Sequence, residues 1–260
     1  MVFMKPKETL KEIENSGCHR ITLPTDIRLI QSFMAGAFIA MGGLLAVLVA
    51  GGSPGLAEYF PGIQKFLAGA MFPVGLILVV VTGAELFTGN VGFIVPGVMK
   101  ENITVKQCVS NWFWVYVGNF IGSLFVAYFL TYLTGIFASE PWLSYIKTTA
   151  EVKVSQGFWV LLLKGIGCNW LVCLSIWLSV SSNDIISKIC GIWFPVMAFV
   201  AVGFEHSIAN MFFVPTGIFY GANVSWLGFF VHNLIPVTLG NIIGGGVFVG
   251  FVYWYLYGRN

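Results

Sequence analysis

The chain has 260 residues, 57% hydrophobic and only 9% charged, with a mean hydropathy of +0.86. A water-soluble domain carries about 25% charged residues, so this composition excludes an ordinary soluble globular protein. The net charge of +2 excludes the strongly basic face that nucleic-acid binding needs.

Residues 1–28 carry Lys5, Lys7, Glu8, Lys11, Glu12, Glu14, Arg20 and Arg28, and they lack the apolar core of a secretory signal. They read as a cytoplasmic segment in which KPKETLKEIENSG forms a short surface helix ending at Gly17. The membrane part follows over 29–257. A crossing helix needs about 20 apolar residues, and six stretches qualify: 30–51, 66–96, 109–135, 157–180, 189–215 and 227–257. The second and fifth are too long for one crossing and are interrupted. An even number of spans puts both termini on one side. With that side in the cytoplasm, Lys5, Lys7, Lys11, Arg20, Arg28, Lys100, Lys106, Lys188 and Arg259 lie inside, against Lys65, Lys147 and Lys153 outside. This follows the positive-inside rule and predicts an integral protein of the cell membrane with both termini cytoplasmic. Lys164 falls within the fourth span. Trp112, Trp114, Trp142, Trp226, Tyr253 and Trp254 lie near span ends and fit interfacial belts. Cys18, Cys108, Cys168, Cys173 and Cys190 form no CxxC and read as small packing residues, so no metal or cofactor is expected.

The chain repeats itself. GAELFTGN (83–90) in the second span and GFEHSIAN (203–210) in the fifth both read G-x-E-x-x-x-[GA]-N. Asn111 with Gly118-Asn119-Phe120-Ile121-Gly122, and Asn233 with Gly240-Asn241-Ile242-Ile243-Gly244, both read N-x6-G-N-x-I-G. The first and fourth spans show no comparable match. Each half, about 30–135 and 157–257, holds three spans, and an odd number turns the second half upside down in the membrane. The expected fold is therefore all-α, with six transmembrane helices in two inverted three-helix repeats, the second and fifth helices broken. Paired discontinuous helices are the sequence pointer to a transport site.

Non-helical backbone at membrane depth is tolerated only where it is buried in protein or lines a cavity, and an intramembrane charge costs about 2.5–3.5 kcal/mol. Glu85 and Glu205 recur in both halves, with Asn90 and Asn210 closing each motif. They read as support for the breaks, capping freed backbone N–H groups. His206 has Leu86 at its counterpart. The residue that departs from the symmetry is the candidate for chemistry.

GAELFTGN, CNWLVCL (168–174), GFEHSIANM (203–211) and NLIPVTLGNIIGGG (233–246) together resemble the formate/nitrite transporter family, over about residues 30–257. The resemblance implies an aquaporin-like protomer, a homopentamer in membrane lipid with one pore per protomer, and passage of small monovalent anions. Formate leads, with nitrite, hydrosulfide, acetate or lactate as alternatives. It further implies His206 as the central pore histidine, with Thr88 facing it. Leu76, Phe87 and Phe199 would narrow the pore, Asn169 and Val172 would lie near the central chamber, and Lys153 would face the outer vestibule. Lys164 departs from the pattern and reads as the partner of an acid or as a protomer-interface side chain. On this view Lys153 concentrates anions, helix N-termini offer free N–H groups, and His206 donates a hydrogen bond or transfers a proton, which would couple uptake to protons. A neutral-solute pore of aquaporin type is the competing class, but the chain lacks paired Asn-Pro-Ala motifs. A haem carrier is disfavoured because His19 and His232 lie outside the span centres. No catalytic constellation of an enzyme is present.

Overall fold

A computed structural model describes residues 3–259 as an almost wholly helical chain. The elements are α1 (Pro6–Thr22), α2 (Thr25–Gly51), α3 (Pro54–Tyr59), α4 (Pro61–Thr82), α5 (Phe87–Met99), α6 (Val105–Tyr132), α7 (Trp142–Ser155), α8 (Phe158–Val180), α9 (Ile185–Val202), α10 (Ser207–Phe219) and α11 (Trp226–Tyr257). Six of these (α2, α4, α6, α8, α9 and α11) are long and apolar enough to cross a membrane, while α5 and α10 are apolar half-length helices. The two long interrupted stretches thus become α4–α5 and α9–α10.

Local chemistry sets the boundaries. Thr104 starts α6 by accepting from the Gln107 N–H at 3.2 Å, and the Gln107 side chain accepts from the Thr104 N–H at 2.9 Å. Asp184 caps α9 through the Ser187 N–H at 2.9 Å. The breaks follow from glycine. Gly83 (φ 75°) and Gly203 (φ 85°) take the left-handed conformation that ends a helix. After each turn one further N–H reaches back across the break, Ala84 to Val79 O at 2.9 Å and Phe204 to Phe199 O at 3.0 Å.

The two halves are assembled alike. α2 crosses α6 where Gly36 meets the Asn119 backbone, and α8 crosses α11 where a Cβ on Gly165 would stand 2.7 Å from Val237 O. Small residues here let the backbones approach in a medium that gives helices no hydrophobic drive to associate.

The N-terminal helix differs from expectation. α1 does not stop at Gly17 but runs on to Thr22, and Gly17 lies buried against the backbone of Phe93, where any Cβ would collide. Leu10, Ile13 and Glu14 are buried with it. Lys100 and Asn102 bind the Glu14 carboxylate at 2.6 and 2.9 Å. The glycine serves a close crossing with α5 and not a helix end.

Candidate functional site

Each break is held by one asparagine from the N-x6-G-N motif. Asn119 Oδ1 accepts from the Phe87 N–H at 2.9 Å, and its Nδ2 donates to Ser32 O at 2.7 Å and Glu85 O at 2.9 Å. Asn241 Oδ1 accepts from the Ser207 N–H at 2.8 Å, and its Nδ2 donates to Gly165 O at 2.9 Å and Glu205 O at 3.0 Å. Both side chains are fully buried. They satisfy backbone groups that a broken helix would otherwise leave bare in an apolar medium.

The glutamates do something other than cap. Glu85 pairs with the Arg20 guanidinium and accepts from Asn90 Nδ2 at 2.7 Å. Glu205 pairs with Lys153 at 2.8 Å and accepts from Asn210 Nδ2 at 2.7 Å. Asn90 and Asn210 continue to Asn111 and Asn233, each at 2.9 Å. Those two asparagines close the circuit by donating to Arg20 O at 3.4 Å and Lys153 O at 2.7 Å. The result is two matched charge relays. One draws its cation from α1, the other from α7. Each cation also lies over a phenylalanine ring, Arg20 over Phe93 at 5.0 Å and Lys153 over Phe213 at 5.3 Å.

The halves meet at His206. Its Nε2 lies 2.9 Å from Thr88 Oγ1, and its Nδ1 accepts from the Ala209 N–H at 3.1 Å as the cap of α10. Because Nδ1 is an acceptor, the neutral ring carries its proton on Nε2 and donates to Thr88. The Thr88 hydroxyl proton is then free to point onward. Phe199 lies nearly parallel to the imidazole (centroids 6.0 Å apart, planes at 18°), with Phe72 edge-on behind it at 5.9 Å.

A cavity of about 180 Å³ reaches His206 from one side, bordered by Lys153, Glu205, Asn210, Phe199, Phe72 and Lys65 among others. A second, of about 220 Å³, lies on the side of α1 and is bordered by Arg20, Asn90, Leu86, Phe93, Ser179 and Lys188 among others. The two share no lining residue.

The remaining expected residues are distributed as follows. Leu76 and Val172 are core residues that border neither cavity. Asn169 is fully buried. Its Nδ2 donates to Thr88 O at 3.1 Å and Asn241 O at 2.7 Å, tying the threonine's backbone to α11. Phe87 points sideways, edge-on to Tyr116 at 4.9 Å, and borders an apolar groove between α6 and α11. Leu86, one residue earlier, faces the α1-side cavity. Lys164 finds an amide and not an acid, donating to Gln156 Oε1 at 2.6 Å. Lys153 is not a free cation, since Glu205 neutralises it.

The matches to known proteins agree with this architecture. The formate/nitrite transporter family model matches residues 7–255. The chain belongs to the formate/nitrite transporter family. A probable formate transporter of Methanothermobacter thermautotrophicus is 46% identical, over 98% of this chain and 97% of that protein. Among solved structures, an ion channel of the family superposes with a TM-score of 0.85 at 32% identity, covering 96% of this chain and 98% of that one. A pentameric formate channel with formate bound superposes at 0.78 and 34% identity, covering 90% and 97%. Like other members of the family, this chain is an integral membrane transporter or channel.

Proposed function

We propose that each protomer passes small monovalent anions, formate first among them, between its two cavities and past the His206–Thr88 pair. The observation that carries this reading is the 2.9 Å contact between His206 Nε2 and Thr88 Oγ1, made where the two broken helices meet. An anion crossing an apolar constriction without partners loses hydration worth many kcal/mol. Here two donors can replace water, the threonine hydroxyl and, once it turns from Thr88 Oγ1 to the anion, the imidazole Nε2–H. Relatives named as formate transporters or channels, and the formate-bound pentamer, support formate and a homopentameric assembly. The excess of Lys and Arg on the α1 side supports placing that face and both termini in the cytoplasm of a cell membrane.

The cap geometry sets a condition on proton coupling. Protonating Nδ1 would turn it towards the Ala209 N–H as a second donor and break the cap of α10. In the capped state His206 acts as a hydrogen-bond donor. It serves as a proton carrier only if the cap is released.

Uptake into proteoliposomes tests the reading, with formate, nitrite, hydrosulfide, acetate and lactate offered with and without an inward proton gradient. His206→Phe removes a donor to a charged substrate worth about 1.5–3 kcal/mol, so uptake should fall roughly ten- to hundredfold. Unchanged uptake at about pH 5.5 would remove His206 from the pathway. Uptake by the wild type that ignores the gradient would leave anion conduction and discard proton coupling.

A further inference from the structure

We infer that Lys188, not Arg20, is the residue that collects anions at the cytoplasmic mouth, and that with Ser179 it forms an anion subsite in the α1-side cavity. This rests on the proposal that small anions use the pathway at all.

The two cations bordering this cavity differ in what their charge has left to do. Arg20 faces the buried carboxylate of Glu85, and its guanidinium is shared with Asn90 Oδ1 at 2.8 Å. Its field is cancelled at short range. Lys188 is half-buried in the first turn of α9 and has no carboxylate within ion-pair distance among the described residues. Asp184, one turn earlier, directs its carboxylate to the Ser187 N–H at 2.9 Å and the Ser182 hydroxyl at 3.2 Å. The position adds to the effect, because a helix N-terminus is the positive end of its dipole and gives a lysine no support.

The one hydrogen bond its ammonium makes among the described residues is to the Ser179 carbonyl, at 2.9 Å. That bond holds the ammonium against the end of α8 and uses one of its three N–H groups. The Ser179 side chain is the second observation. It is 1% exposed, borders the same cavity, and its Oγ has no hydrogen-bond partner among the described residues. A buried hydroxyl without a partner is rare in native structures. Here it stands beside an uncompensated cation. An ammonium and a hydroxyl, both able to donate, suit a small monoanion in the cavity that leads to Leu86 and the break.

The opposite mouth follows the same rule. Lys153 is neutralised by Glu205, while Lys65, near the start of α4, borders that cavity with no acidic partner among the described residues. Lys65 is exposed, so water screens it more than Lys188. In both halves the cation with charge to spare sits on the helix that precedes the break.

The alternative is that Lys188 only caps α8, as lysines near helix C-termini do. Glutamine at this position keeps an N–H for the Ser179 carbonyl and loses the charge, and arginine keeps both. The test is formate flux in neutral-lipid proteoliposomes for wild type, Lys188→Gln and Lys188→Arg, with ionic strength raised from about 0.01 M to about 1 M. The Debye length then shrinks from about 30 Å to about 3 Å. Lys188→Gln should pass formate roughly fivefold more slowly at low salt and converge on wild type at high salt, while Lys188→Arg should follow wild type throughout. A glutamine variant equal to wild type at low salt overturns the subsite, as does a deficit that salt leaves unchanged. A wild type that passes none of the family's anions at any salt overturns the transport reading, and the subsite with it.

Discussion

The two charge relays match group for group along most of their length, whereas the residues between them do not match at all. Glu85 and Glu205, Asn90 and Asn210, Asn111 and Asn233, and Phe93 and Phe213 take equivalent places. At the junction, His206 stands opposite Leu86 in the repeat and Thr88 opposite Ile208. Breaking two helices in a membrane poses the same backbone problem twice, and the chain solves it twice with the same side chains. On the proposed pathway a substrate crosses only one junction, so the groups that would touch it need occur once. On that proposal symmetry marks scaffold, and its loss marks chemistry.

The largest test of that division falls on the clamps. Asn119→Ala strips partners from the Phe87 N–H and the Ser32 and Glu85 carbonyls, and Asn241→Ala does the same to Ser207, Gly165 and Glu205. Each orphaned buried group costs about 1–3 kcal/mol, against a typical domain stability of about 5–15 kcal/mol. Both variants should lose most of their thermal stability in detergent, by similar amounts. If one tolerated the change with little shift in melting temperature, the clamps would not be equivalent. A smaller effect is expected from neutralising the relays. Glu85→Gln and Glu205→Gln keep an acceptor for Asn90 and Asn210 but leave Arg20 or Lys153 without its counter-charge, at about 3–5 kcal/mol where such a group is fully buried and less here, since both cations keep some solvent. Stability should fall alike in the two variants. Formate flux should change more for Glu205→Gln, because Lys153 borders the same cavity as His206. Equal flux changes would argue that the relays act only through stability.

Much of this was legible in the sequence, but only where side chains carry the interaction. The broken spans, the repeat and the singular position of His206 all follow from side-chain patterns. The equivalence of α2 and α8 does not. Their share of the clamp is made by the carbonyls of Ser32 and Gly165, and by those of Gln31 and Lys164 accepting from the Glu85 and Glu205 N–H groups. A carbonyl is common to every residue and leaves no motif. The pairing of Arg20 with Glu85 leaves no sequence mark for a related reason. Its counterpart is Lys153, on a short helix within an apparent loop, and neither residue type nor sequence spacing matches that of the break motifs. Gly17 shows the limit from the other side, since a glycine that ends a helix and one that lets another helix approach are the same letter.

The smallest expected effect is the most discriminating, because it exchanges the one member of the relays that differs. Arg20 donates to both Glu85 and Asn90 Oδ1, whereas among the described residues Lys153 donates only to Glu205 and the buried Asn210 Oδ1 has no donor. An ammonium is a point charge on a flexible stem, and a guanidinium is a fork that can serve two acceptors at once. Lys153→Arg places the fork beside a cavity with room for it and should supply the missing bond, a gain of about 0.5–1.5 kcal/mol. That corresponds to a rise of about 2–4 °C in melting temperature per kcal/mol for a chain of this size. Arg20→Lys should cost a similar amount by orphaning Asn90 Oδ1. If the two changes shift the melting temperature in opposite directions, the relays are one device with interchangeable cations. If Lys153→Arg is destabilising instead, the open acceptor on Asn210 is a requirement of the His206 side, and the relay there belongs with the chemistry and not with the scaffold.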